Sequence, residues 1–234
     1  MKILILTTDT YHHLFFTREI KKKYKNLSIV LEKKINKFSF RTHHKIIIEI
    51  KKFEKKYFFK NKDEKFINEK IFNNINDANC IKHIKKIKPD VIISFGIGLM
   101  KPKFLNNFKD SKIVNLHGGD IQHYRGLDSH MWSIYHNDFK SLITTLHYVN
   151  KKIDSGNIIF KKKILINSRT KFVSIRALNT IICVKLVLKF LRLAQVRKKI
   201  KTKKIYLLGR YYSAIPEVLF KRCIKNYQKY IKKI

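Results

Sequence analysis

Two polar residues two positions apart, Asn115 and His117, close an otherwise apolar, β-branched run, Lys112-Ile-Val-Asn-Leu-His117. On a strand such residues project to one face, so an amide and an imidazole stand side by side. A pair of this kind can hold the negative oxygen that develops when a carbonyl is attacked. A nearby carboxylate would keep the imidazole charged, and Asp154, in Ile153-Asp-Ser-Gly156, is the candidate. Amide, imidazolium and carboxylate together suit acyl transfer to an amine without a covalent intermediate.

Positioning these groups requires strand ends, and the chain supplies them. Short apolar runs at Lys2–Thr7, Leu27–Leu31, Val91–Phe95, Lys112–His117, Leu142–Val149 and Ile158–Ile166 read as strands. Helices are expected over Tyr11–Tyr24, Asn79–Ile87, Pro102–Phe108, Ser129–His136 and Phe172–Val196. The lysine-dense stretch Glu32–Lys70 reads as helical and surface-lying. Alternation of strand and helix argues an α/β fold with a mostly parallel, Rossmann-type sheet flanked by helices. In such sheets ligands sit beyond the carboxyl ends of the strands. Residues Phe95–Met100 and Asn115–Gly119 occupy two such ends.

Composition bounds the function. A chain of 234 residues with 44% hydrophobic and 12% aromatic content can bury a core and is not a disordered polymer. The net charge of +37 invites a nucleic-acid partner. However, lysines outnumber arginines 44 to 9, whereas arginine is the better fork for phosphates and base edges. Residues 113–160 carry as many acids as bases, and they hold four of the seven glycines, five of the ten histidines and the only tryptophan. Lysine enrichment thus avoids the stretch where the chemistry lies, as expected of compositional drift on solvated faces. Cys80, Cys183 and Cys223 are too scattered for a disulfide framework, and a cytoplasmic setting is the expectation. Met1–Thr8 is too short for a secretory signal, and charges interrupt the apolar stretch Phe172–Ala194, so no membrane span is expected. The spacing of His117, His123, His130, His136 and His147 matches no closed metal site.

The segment Asn115-Leu-His-Gly-Gly-Asp-Ile-Gln-His-Tyr124-Arg125-Gly126, followed by Trp132, Thr144-Thr-Leu-His147 and Asp154-Ser-Gly156, resembles the formyltransferase family that uses 10-formyltetrahydrofolate. The resemblance covers residues 88–160. It implies that Asn115, His117 and Asp154 are catalytic, that no metal takes part, and that Phe95, Gly96, Gly98, Leu99, Met100 and Lys101 line the folate pocket. Acceptor binding is expected from His12, His13, Tyr124 and Arg125. Two departures bear on the acceptor. Gly118-Gly-Asp-Ile121 stands where the family often has Ser-Leu-Leu-Pro, and Tyr11-His-His13 follows the first strand without a glycine-rich phosphate loop.

A single formyltransferase-like domain over 1–234 is expected, with a basic C-terminal tail from about 221. The residues after 160 leave no comfortable room for a tRNA-binding barrel. An amino-sugar nucleotide is therefore the expected acceptor, and a homodimer is an assembly the reading allows. The alternatives are an aminoacylated tRNA acceptor, a formyl-folate hydrolase and a non-catalytic nucleic-acid-binding protein. Gly209–Pro216 reads as a compact aromatic turn that is either scaffold or a cover for the acceptor.

Overall fold

The computed structural model describes residues 1–33, 38–42 and 44–234, without the side chain of His44. In chain order the elements are β1 (Ile3–Thr7), α1 (Tyr11–Lys21), β2 (Leu27–Glu32), α2 (His44–Phe59), β3 (Lys70–Phe72), α3 (Ala78–Ile87), β4 (Val91–Phe95), α4 (Pro102–Asn107) and β5 (Lys112–His117). There follow β6 (Tyr124–Gly126), α5 (Ser129–Tyr135), β7 (Ile143–Tyr148), β8 (Ile158–Lys163), α6 (Ile175–Gln195), β9 (Arg210–Tyr212) and α7 (Glu217–Ile231).

Seven strands form one sheet in the order β3-β2-β1-β4-β5-β7-β8. The first five are parallel, and β7 and β8 continue antiparallel. Every residue of β1 and β4 is buried, which is why these strands read as continuous apolar runs rather than alternating ones. Their side chains nevertheless alternate between two cores. Ile3, Ile5, Ile93 and Val114 face a core built with Phe16 and with α6 residues such as Val187 and Phe190. Leu4, Leu6, Val30 and Ile92 face another, filled by Ile84, Phe104 and Phe108. Helices thus cover both faces, and the carboxyl ends of β1, β4 and β5 fall along one edge.

Three features differ from expectation. The basic segment from 221 is not a tail: it belongs to α7, which buries Phe220, Cys223, Asn226 and Tyr227. Asn226 donates to the carbonyls of Ile134 and Tyr135 at the end of α5. Lysines on the outer face masked this helix's apolar stripe. Within Glu32–Lys70, α2 is helical as expected, but Glu54 lies fully buried at 0% exposure. Residues 34–37 and 43 of that stretch lie outside the described residues. Finally, β6 and β9 pair in parallel as a separate two-stranded sheet, so Arg210–Tyr212 is a strand where a turn was expected. Among the described residues, no helix is long and apolar enough to cross a membrane.

Candidate active site

Strand β5 delivers Asn115 and His117 to the carboxyl edge, and their neighbours fix how each is used. In register, Asn115 lies beside Ser94 of β4 and opposite His147 of β7. The Ser94 hydroxyl donates to Asn115 Oδ1 at 2.7 Å. The amide NH2 then faces His147 Nε2 at 3.1 Å and Asp154 Oδ1 at 3.2 Å. His147 Nδ1 sits 2.8 Å from the Tyr148 carbonyl, which leaves Nε2 facing the Asn115 amide.

His117 is placed differently. Its Nε2 is 2.9 Å from the Tyr124 carbonyl, and its Nδ1 is 3.4 Å from Asp154 Oδ2. Both ring nitrogens therefore face acceptors, and each N–H of an imidazole would find a partner there. Behind it lies His130, whose Nε2 contacts the Ile143 carbonyl. Burial, opposed by that hydrogen bond and reinforced by the neighbouring His117, lowers His130 to about 4 and keeps it neutral.

Asp154 draws the corner together from the β7–β8 connection. The Gly126 amide donates to its Oδ2 at 2.9 Å, and His147 lies 3.5 Å from Oδ1. Burial alone would raise its pKa, but the His117 charge, His147 and the Gly126 N–H outweigh burial and hold the carboxyl below the usual range. Asp154 adopts a left-handed backbone (φ 46°), an uncommon conformation that surrounding contacts must impose. Arg125 supplies one by donating to the Ile153 carbonyl at 3.0 Å and the Gly209 carbonyl at 2.5 Å. Gly156 supplies another: a Cβ there would stand 1.7 Å from the Tyr148 carbonyl oxygen, so only glycine lets the connection pass so close.

The unusual Gly118-Gly-Asp loop is held from β7 and β8. Thr145 donates to the Gly119 carbonyl, and Lys161 Nζ reaches both Asp120 oxygens at 2.6 Å.

The expected folate-lining loop is equally anchored. The Glu32 carboxylate accepts from the Ile75 and Gly98 amides at 3.0 and 2.6 Å. The Asn76 side chain clamps the Leu99 carbonyl and the Lys101 amide. Phe95 and Met100 turn into the cores, whereas Leu99 is 49% exposed. At Gly96 the chain takes φ 79°, and a Cβ would meet the His13 ring at 2.5 Å.

The remaining expected site residues are placed as follows. His12 and His13 point inward, at 7% and 4% exposure, rather than across an open surface. His13 Nδ1 bonds Thr8 and Thr10, and its ring meets Phe95 edge-on at 4.5 Å. His12 Nδ1 lies 3.4 Å from Glu54, which Arg176 grips through Nε at 2.6 Å and Nη2 at 2.9 Å. Tyr124 meets His117 through its carbonyl, while its ring stacks on Tyr212 at 5.6 Å. Arg125 is occupied by backbone carbonyls beside Asp154.

The structure therefore brings Asn115, His117 and Asp154 into one corner and shows Ser94 and His147 as their close support, while Glu32 anchors the separate Gly98 loop. Sequence reading had noted His147 only within the Thr-x-x-His string and had missed the other two. No local signal marks Ser94 or Glu32, because each matters only through a neighbouring strand or loop.

This is an α/β sheet carrying an Asn-x-His strand end latched by an aspartate. The formyl transferase family model matches residues 1–177, and the chain belongs to that family. A methionyl-tRNA formyltransferase of Alkaliphilus oremlandii is 29% identical over 94 residues, 40% of this chain and 30% of that protein. The chain thus matches less than a third of that relative's length. Among solved structures, a sugar N-formyltransferase of a Shewanella species superposes with a TM-score of 0.64 at 17% identity, over 97% of this chain and 87% of that one. WlaRD, described as a sugar 3N-formyltransferase in the presence of dTDP and 5-N-formyl-THF, gives 0.61 at 17% identity, over 98% and 81%.

Proposed function

We propose that this chain transfers a formyl group from 10-formyltetrahydrofolate to a primary amine, that of an amino-sugar nucleotide. The observation that carries the reading is the convergence of Asn115, His117 and Asp154 at the carboxyl end of β5. Family membership supplies the formyl chemistry. The donor brings an activated formyl carbonyl. Asn115 and His117 present an N–H donor and a positive charge to its oxygen. One Asn115 hydrogen leaves a neighbour for the developing oxyanion, exchanging an ordinary hydrogen bond for a charge-assisted one, about twice as strong. Asp154 pairs with His117 and relays, through water, the proton released by the attacking amine to the folate nitrogen, which leaves as tetrahydrofolate when the C–N bond to the formyl carbon breaks.

The pre-anchored loop Gly96–Lys101, with Leu99 outward, suits an apolar heteroaromatic donor. The acceptor reading draws its support from the sugar N-formyltransferases among the solved structures that share this fold. The methionyl-tRNA match is confined to a short stretch of a longer relative.

The test is tetrahydrofolate release by purified protein offered amino-sugar nucleotides and aminoacylated tRNA. Turnover with one sugar nucleotide is expected, with Asn115→Ala and His117→Ala each losing about 10²-fold or more, as for other oxyanion donors. Turnover only with aminoacylated tRNA would replace the acceptor. Formate release without any amine would replace transfer by hydrolysis.

A further inference from the structure

The parallel strands have a second edge, opposite the catalytic one. There the turn after α1 and the last two turns of α6 enclose a concave groove of about 810 Å³. Its floor is apolar, made by Tyr24 and Leu188, and its rim carries Lys23, Lys25, Lys189 and Arg192. The four cations are exposed. Among the described residues, no acidic one lines the groove. The nearest acid by sequence on the α1 side, Glu19, is paired with Lys22, and Asp90 beside Met1 accepts the Lys2 amide.

Part of this charge has a structural use, because α1 and α6 both end here and cations favour helix carboxyl termini. That accounts for about one cation per helix and leaves a surplus. The surplus continues along the surface. From the end of α6 the chain runs Arg197-Lys-Lys-Ile-Lys-Thr-Lys-Lys204. Paired backbone hydrogen bonds between Lys203 and Ile158 pin it against β8. Lys189 spans the two, with its ammonium 4.4 Å above the Phe160 ring of β8.

We infer that this groove and the adjoining basic run bind the phosphate backbone of single-stranded nucleic acid, with a base stacked on Tyr24. The volume is that of a nucleotide-sized site. A groove admits a strand but not a flat bilayer. Aromatic rings between cations are how sequence-tolerant single-strand sites are built. Three of the four rim cations are lysines, which offer point charges to a backbone and no fork for base edges, so the site is expected to be insensitive to sequence. The site owes nothing to Asn115, His117 or Asp154, so its failure and that of the transferase reading are separable.

The experiment measures anisotropy of a labelled uridylate oligomer of about 12 nucleotides, from about 50 to 300 mM salt. The variants are Lys25→Ala/Lys189→Ala/Arg192→Ala, Tyr24→Leu, and a control removing three lysines of α7, Lys221→Ala/Lys225→Ala/Lys229→Ala. Thermal melts confirm folding. The groove variant is expected to lose at least tenfold in affinity at about 150 mM salt. Its log–log salt slope should become shallower by about 2, at about 0.7 per phosphate for single strands. Tyr24→Leu should lose about fivefold or more at unchanged slope, and the α7 control should lose much less than the groove variant. Equal losses in groove and control variants would overturn the proposal in favour of diffuse charge. So would absence of binding by the wild type at about 150 mM salt. Displacement of the oligomer by phosphatidylserine vesicles at equal phosphate would also overturn it and point to a membrane surface.

Discussion

Asn115 can serve an oxyanion only if its NH2, not its carbonyl, faces the corner, and Ser94 decides this by donating to Oδ1. Removing that hydroxyl frees the amide to flip. Ser94→Ala is expected to lower kcat about five- to tenfold with little change in KM, corresponding to about 1 kcal/mol of hydrogen bond, while Ser94→Thr restores most of it; initial rates decide. Asp154 is a harsher case, because it holds Asn115, His117 and the Gly126 amide at once. Asp154→Asn keeps the shape but not the negative charge that pairs with His117. Turnover should fall by about 10²-fold or more, the scale on which essential polar groups act, while the melting curve remains cooperative. At this scale the sequence was informative. The Asn-x-His string places two side chains on one face, and the Asp-x-Gly string supplies the carboxylate. Ser94 stayed hidden because it lies inside a fully buried apolar run and acts only sideways, across a strand pair.

Elements converge on Glu54 as side chains do on Asp154. From α2 it meets His12 of α1 and Arg176 at the start of α6. Burial would raise its carboxyl, but His12 and Arg176 outweigh this and bring it from 4.5 down to about 2. A depressed value means stabilisation that is complete above about 4.5 and lost as pH falls toward about 2. Glu54→Gln should therefore destabilise strongly near neutrality. Urea midpoints of wild type and variant should draw together as pH falls through that window. The strand runs of β1 and β4 were legible because both their faces are buried. Strand β3 was not, since it has three residues, mostly exposed, that pair with β2 and reach a core only through Phe72. The β6–β9 pair escaped for another reason: partners so distant in sequence leave no periodicity. Helix α7 did carry a signal, since Phe220, Cys223 and Tyr227 are spaced for one helical face, but lysines between them suggested a solvated tail. Phe220→Ala should cost about 3–5 kcal/mol, as for other buried phenylalanines, measured by denaturant unfolding.

The whole molecule carries +37, a charge that repels itself. Salt screens such repulsion, with a Debye length near 10 Å at about 0.1 M. The melting temperature is therefore expected to rise between about 10 and 200 mM sodium chloride, a trend that scanning calorimetry reads directly. A falling Tm would show that specific ion pairs such as Glu54–Arg176 dominate over the collective field.

The pairing of β6 with β9 sets an order on biosynthesis. All seven strands of the main sheet have left the ribosome once Lys163 is clear. At that stage Tyr124–Gly126 has no partner strand, and Arg125 lacks the Gly209 carbonyl that helps lock it beside Asp154. Nascent chains stalled before Gly209 should thus hold a finished sheet and turn over no formyl donor, whereas chains stalled after α7 should be competent.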